Sequence, residues 1–270
     1  MSSPAHQPAT ARTRRLQDPT APPPGYVRRV LGGTTLVARE RDADGAAEAL
    51  RDGTLYAWAA AQPGRRAFMG RRAAYAVTLP HSGTPVVVRH SQHGGLLAAL
   101  TGDVFRAPTR APRELRAARL LAGCGVPTPP VVAYALYATA PGLQRADVAT
   151  QEIPGAADGS EALQRAPQGP ERTAVFAAIA TLLRQLAEAG AVHPDLNLKN
   201  VLITPAAGGA PLAWVLDVDR MAFAAPGEGV LEANLARLAR SLRKWRERRG
   251  LAVSEGEIAA LAASARGADA

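Results

Sequence analysis

The stretch AVHPDLNLKNVLI, residues 191–203, sets His193, Asp195, Asn197 and Asn200 among small and aliphatic neighbours. Asp and Asn bond readily to their own backbone, so turn chemistry is one reading. Phosphate chemistry is the other, because transfer from a nucleotide needs a carboxylate to orient the attacking hydroxyl, oxygen ligands for Mg²⁺, and a cation on the phosphates. Asp195 suits the first role. Asn200, five residues on, offers a neutral oxygen, and Asp217 closes the strand-like LAWVLD of residues 212–217 with a carboxylate. Mg²⁺ takes a few such oxygens and completes its shell with phosphate and water. His193 reads as a loop organiser bonded to a backbone carbonyl, and Asn197 as a turn builder.

Helical and extended patterns flank this stretch. Before it, ERTAVFAAIATLLRQLAEAG (171–190) places Val175, Ile179, Leu182, Leu183 and Leu186 on one face and stops at Gly190, as a buried helix with a glycine cap does. After it come short strands over 201–204 and 213–217. Then GVLEANLARLARSLRKWRERRG (229–250) sets Leu231, Leu235, Leu238, Leu242 and Trp245 in an apolar stripe opposite a row of Arg.

The first half reads as β-rich. Residues 73–79 and 85–90 predict a hairpin across Pro80–Thr84, and APRELRAARLLAGCG (111–125) predicts a helix with Pro112 in its first turn. Two extended runs follow, then a Gly/Pro/Ala-rich break over 154–170. The predicted class is α+β. A disordered tail over 1–25 precedes a β-rich unit with one helix over 26–153 and a mainly helical unit over 154–270.

At 270 residues and 47% apolar, the chain can bury a large core. Its single cysteine, Cys124, excludes an internal disulfide framework or a cysteine-ligated cluster. No apolar run is long enough for a span or a secretory leader, and a reducing, cytoplasmic setting follows as the expectation. The net charge of +9 and pI of about 10.7 point to an anionic partner. No nucleic-acid motif accompanies that charge, so no nucleic acid is expected. His90 and His93 have H-x-x-H spacing but no third ligand nearby, which argues against zinc.

The required cation can be sought upstream. The strand-like VVVRH ends on Arg89, and Glu114 lies in the following predicted helix; this resembles the kinase arrangement in which a Lys closing a V-A-I-K strand is fixed by a Glu on the next helix, and the resemblance implies contact between the two. Arg binds phosphate in bidentate fashion and is a reasonable nucleotide cation. Gly64 and Gly70 precede a strand in PGRRAFMGRRAAYAV, the place for a nucleotide-covering turn, although no G-x-G-x-x-G is present.

HPDLNLKN resembles the kinase catalytic loop H-R-D-L-x-x-x-N, with Pro194 where Arg is usual. VLDVDR is similar to the metal-binding D-F-G segment, with Val218 for Phe and Asp219 for Gly. Together with GRRAAYAV, VVVRHSQHGGLLAAL, RAPRELRAARLLAGCGVPTPP and NLARLARSLRK, these segments resemble the 3-deoxy-D-manno-octulosonic acid (Kdo) kinases of the lipopolysaccharide kinase family over roughly residues 65–245. Ser91 and His93 stand where family members carry an aromatic and a basic residue.

The resemblance implies a bilobal protein-kinase-like fold that uses ATP and Mg²⁺ to phosphorylate the 4-hydroxyl of a Kdo residue on a lipid A precursor. It implies Asp195 as base, Asn200 and Asp217 as metal ligands, and Arg89, Glu114 and Gly70 at the nucleotide. It also implies a lipid-linked Kdo acceptor and peripheral attachment to an anionic membrane surface, the cytoplasmic face of the inner membrane. Two alternatives stay open: the same chemistry on another sugar, small molecule or protein hydroxyl, and a non-catalytic basic binding protein. The sequence leaves the oligomeric state open.

Overall fold

A computed structural model describes residues 21–70, 72–92, 103–205 and 209–267. Residues 1–20 of the expected tail lie outside these, as do His93, Gly94 and Gly95. Residues 23–25 are tied to the fold, the Pro24 carbonyl accepting a bond from Arg119 at 2.8 Å.

The first half is built on one antiparallel sheet. Its strands are β1 (Tyr26–Leu31), β2 (Thr34–Arg39), β3 (Arg66–Phe68), β4 (Ala74–Thr78), β5 (Pro85–His90), β6 (Phe105–Arg106), β7 (Val131–Ala140) and β8 (Leu143–Gln151). The order across the sheet is β1-β2-β7-β8-β5-β4-β3, with β6 added on β8. The expected β4–β5 hairpin forms, pairing Tyr75 with Val88 and Thr78 with Pro85. Because side chains alternate along a strand, Val86 and Val88 of β5 point to one face and Arg89 to the other.

That first face is covered by α1 (Ala43–Ala49) and α2 (Leu55–Ala61), around Leu36, Leu55, Val86, Val88 and Ala149. The sequence predicts one helix in this half, and the structure contains these two in addition. Both are a single short apolar patch too brief to show a period. Gly45 also reads as a breaker. It is needed for contact instead: a Cβ there would lie 2.1 Å from the Pro80 carbonyl oxygen. Asp147, wholly buried, accepts the Tyr56 N–H and the Tyr137 hydroxyl, each at 2.8 Å, and meets His90 at 2.5 Å, fastening α2 to the sheet.

The expected helix is α3 (Ala111–Gly123), with Pro112 in its first turn and Gly125 in the left-handed region just beyond. It packs on β7, and its buried Leu115, Ala118 and Leu121 belong to the larger core that fills the second half. That half holds β9 (Ala157–Asp158), α4 (Gly159–Arg165), α5 (Pro170–Glu188), β10 (Ala191–Val192), β11 (Val201–Thr204), β12 (Leu212–Val215), β13 (Ala222–Phe223), α6 (Glu228–Arg249) and α7 (Glu255–Arg266). Helix α4 sits within the Gly/Pro-rich break, started by the Asp158 carboxylate accepting the Ser160 and Glu161 N–H groups.

All five apolar residues expected on the inner face of α5 are buried. Full burial of each leucine contributes about 2 kcal/mol, so this face is a main source of stability. Helix α7, absent from the sequence reading, starts with a Ser254/Glu257 capping box and packs on α5. Strand β12 ends at Val215, earlier than expected, leaving Asp217 beyond it. The result is the α+β, two-lobed, protein-kinase-like architecture.

Gly190 shows how tightly the centre is built. Its φ is +66°, and a Cβ would fall 2.1 Å from the Ala224 carbonyl oxygen. Gly190→Ala is therefore expected to lower the unfolding free energy by about 3 kcal/mol, from strain and backbone displacement together. Urea denaturation at neutral pH checks this, and a change within about 0.5 kcal/mol would contradict the packing.

Candidate active site

Helix α6 supplies the frame. Its buried stripe of Leu231, Leu235, Leu238 and Leu242 is interrupted by two buried polar residues, Asn234 and Ser241, two turns apart on one face. Asn234 Oδ1 accepts the His193 N–H at 3.0 Å, and its Nδ2 donates to the Ala191 carbonyl at 2.9 Å. Ser241 Oγ accepts the Leu198 N–H at 3.2 Å. The loop over 193–200 is thus anchored at both ends to a rigid helix.

Inside the loop, His193 is 1% exposed. Its Nδ1 accepts the Asp195 N–H at 3.1 Å, so the proton sits on Nε2, which donates to the Leu216 carbonyl at 2.9 Å. Burial pushes its pKa below the ordinary imidazole value, against the opposing effect of that carbonyl. A neutral, fully bonded ring organises the loop and is not poised as a base.

Asn197 and Asn200 each donate Nδ2 to the Asp195 carbonyl, at 2.9 and 2.8 Å. The Asp195 backbone is held while its side chain faces solvent. With its nitrogen engaged, Asn200 has Oδ1 left to offer a cation. The Asn200 carbonyl in turn accepts the Leu216 N–H at 2.9 Å. Both sides of the Leu216 residue are therefore gripped by the 193–200 loop, and the next residue is Asp217.

Asp217 has φ +54°, a left-handed conformation that Asp adopts more readily than most residues. It turns the chain out of the β12 direction into a short 3₁₀ turn, Val218–Arg220, whose Val218 is buried. That turn packs on α3. Asp219 pairs with Arg110, at the start of α3, at 3.6 Å.

Arg89 bridges the two halves. One guanidinium nitrogen pairs with Glu114 on α3 and the other with Asp217 Oδ1 at 3.2 Å. Burial opposes the charge on Arg89, but Glu114, Asp217 and Asp219 outweigh it and hold its pKa above the ordinary guanidinium value. Burial pushes the Glu114 carboxyl up, while Arg89 acts against that rise. Burial likewise raises Asp219, opposed by Arg89 and Arg110.

The structure thus brings Arg89, Glu114 and Asp217 into contact, and joins Asp195 to Asn200 and Asn200 to the segment carrying Asp217. Gly70 stands apart, exposed in the turn after β3, and among the described residues no hydrogen bond or ion pair links it to the others. Both ring nitrogens of His90 are taken, by Asp147 and by Asp103 at 2.9 Å, leaving no lone pair for a metal. Sequence reasoning missed Asn234 and Ser241. Their signal was present as two polar residues seven apart inside an apolar stripe.

Asn200 Oδ1 with the Asp217 and Asp219 carboxylates is a set of hard oxygen donors that fits a small divalent cation sharing its shell with phosphate. Among the described residues no cluster of three His, Cys, Asp or Glu side chains forms a closed metal cage.

Comparison with known proteins adds the family. The model of the lipopolysaccharide kinase (Kdo/WaaP) family matches residues 58–262. The 3-deoxy-D-manno-octulosonic acid kinase of Xylella fastidiosa (strain M12) is 32% identical over 172 residues, which cover 61% of this chain and 64% of that protein. The chain therefore spans less than two thirds of that relative. The enzyme of the same name from Vibrio vulnificus (strain YJ016) is 30% identical over 198 residues, 71% of this chain and 78% of that one. A solved structure titled "WaaP in complex with acyl carrier protein" superposes with a TM-score of 0.48 and 20% identity, over 87% of this chain and 99% of that one.

The buried imidazole gives a pH test. Because the folded pKa of His193 is lowered, its contribution to stability is complete above the ordinary midpoint of about 6.5 and is lost as pH falls toward the folded value. NMR titration of the imidazole nitrogens is expected to find His193 still neutral, with the proton on Nε2, at pH about 6.5. A half-protonated ring there would contradict the assignment.

Proposed function

The chain belongs to the lipopolysaccharide kinase (Kdo/WaaP) family, and from that premise we propose that it transfers the γ-phosphate of ATP to the 4-hydroxyl of a Kdo residue on a lipid A precursor. The observation that carries this reading is the Arg89 guanidinium held between Glu114 and Asp217. Such a cation, braced from a helix and set beside a metal-binding carboxylate, is what nucleotide phosphates require.

In this reading Asp195 orients the sugar hydroxyl and accepts its proton as the oxygen attacks the γ-phosphorus and the bond to the bridging oxygen of ADP breaks, releasing ADP. The exposed carboxylate on an immobilised backbone suits that task, since orientation is the larger part of catalysis in phosphoryl transfer. Asn200 and Asp217 hold Mg²⁺, which when bound neutralises the phosphate oxygens. Arg89 positions the nucleotide phosphates and Glu114 positions Arg89. Gly70 belongs to the turn that covers the nucleotide. The nucleotide phosphates belong to residues 26–153, and the catalytic loop and metal ligands to residues 154–270.

No helix among the described residues is long and apolar enough to cross a membrane. A lipid-borne acceptor then requires peripheral attachment, which we place at the cytoplasmic face of the inner membrane. The basic charge suits anionic lipid there.

Two outcomes test the roles. With labelled ATP and a Kdo-bearing lipid A precursor, Asp195→Ala is expected to lower kcat by about 10²–10⁴-fold while nucleotide affinity stays near wild type. Near-wild-type turnover would remove Asp195 as the base, and phosphate on another hydroxyl, read by NMR of the product, would remove the acceptor assignment. Glu114→Gln, which keeps size but loses the charge holding Arg89, is expected to raise the KM for ATP by about tenfold with a smaller effect on the KM for acceptor. Equal changes in both would detach Glu114 from the nucleotide.

A further inference from the structure

Asn234 and Ser241 are not alone in holding the 193–200 loop to α6. Arg237 stands between them on the same side of the helix, three residues after one and four before the other. Its Nε donates to the Pro194 carbonyl at 3.1 Å, and Nη1 donates to the Ala233 carbonyl at 2.6 Å. A guanidinium has five N–H donors, so the outer end of the fork, Nη2 and the second N–H of Nη1, is unspent.

The charge of Arg237 is unspent as well. Arg243 and Arg246, which reach α7, both pair with Glu255 at 2.8 Å. Among the described residues no carboxylate pairs with Arg237, Asp195 included. Arg240 and Lys244, three and seven residues further on, are exposed and likewise unpaired among the described residues, which keeps this side of α6 positive. Bracing two carbonyls needs hydrogen-bond donors but no charge, so a half-buried cation here is left with a further use.

Its place says which use. The His193 N–H bonds to Asn234 while the ring bonds to Leu216, so the loop lies between α6 and the segment that carries Asp217. Arg237 is therefore across the loop from Asp217 and its partner Arg89. In phosphoryl transfer the attacking and leaving oxygens lie in line, which sets the acceptor beyond Asp195 from the nucleotide.

The distances suit an acid sugar. The Pro194 carbonyl oxygen and the Asp195 carboxylate belong to neighbouring residues and are at most about 7 Å apart, so the guanidinium bonded to that oxygen lies within roughly 10 Å of the carboxylate. In Kdo the C1 carboxylate and the 4-oxygen are joined through four bonds of about 1.5 Å, hence at most ~5 Å apart. With a hydrogen bond of about 2.8 Å at each end, such a sugar spans about 10 Å when extended and less when bent. An acid brought to Asp195 also meets a like charge, and a cation at its far end offsets that repulsion.

We propose that Arg237 determines acceptor specificity by binding the carboxylate of an acid sugar whose hydroxyl lies on Asp195. This role rests on the phosphotransfer proposed above and adds to it the residue that reads the acid.

Matched acceptors test it: a water-soluble Kdo glycoside and its C1 carboxamide, and beside them a glucuronide and its carboxamide, each with labelled ATP. Wild type is expected to favour acid over amide by about thirtyfold in kcat/KM, as a charge-assisted bidentate pair would give. Arg237→Gln is expected to lose that preference to within about threefold, with turnover of the amide and the KM for ATP near wild type. Arg237→Lys keeps the charge without the fork and is expected to lower the preference to about fivefold, which also supplies the reading if the glutamine variant does not fold. Arg243→Gln, whose cation is already paired, is expected to match wild type.

A residue that only braces the loop gives a different pattern, equal losses on acid and amide. That pattern overturns the assignment, as do a wild type that treats acid and amide alike, a full preference in either Arg237 variant, or a raised KM for ATP in place of the lost preference. Turnover of the glucuronide and not of Kdo, with the acid preference lost in Arg237→Gln, removes the Kdo acceptor and keeps the role of Arg237. Phosphorylation of neither acid removes both.

Discussion

The hydrogen bond from His193 Nε2 to the Leu216 carbonyl is the point on which the site depends. A buried ring N–H would cost free energy if left without a partner, so this bond holds the two segments in register. Asn200 completes the grip from the other side of Leu216. Because Leu216 cannot slide, Asp217 is delivered to one place, and its left-handed backbone follows from having to leave the strand direction at once. The loop that carries Asp195 and the segment that carries Asp217 are therefore one rigid object, fastened to α6 by Asn234.

The second half of the site arrives by a different device. Arg89 and Glu114 belong to the first half of the chain, yet α3 shares the core of the second half and packs on the Val218–Arg220 turn. Two ion pairs, Arg89 with Asp217 and Arg110 with Asp219, cross the same junction. An arginine suits this place better than a lysine, since its planar fork reaches Glu114 and Asp217 with separate nitrogens. Val218, after Asp217, is buried, and a polar contact through Asp219 joins the Val218–Arg220 turn to α3.

Much of this was legible in the residues. The long helices showed a 3.6-residue period, the β4–β5 hairpin showed its turn, and Asp195, Asn200 and Asp217 showed themselves as polar residues among apolar ones. The predicted contact of Arg89 with Glu114 is present. The short helices α1, α2 and α4 were not legible, because seven residues give too few turns for a period. Gly45 and the Gly/Pro-rich stretch before α5 also imitate loops. Asn234 and Ser241 were hidden by an apolar stripe that was read for its leucines.

By itself, the sequence determined the class of fold and the chemical types at the site, because periodicity and residue chemistry are local properties carried by neighbours along the chain. Tertiary structure alone decided which of those groups meet. That Nδ1 of His193 accepts and Nε2 donates, and that Arg89 reaches Asp217, both depend on strand order and helix packing. These are set by burying a common core, a constraint shared by residues more than a hundred positions apart.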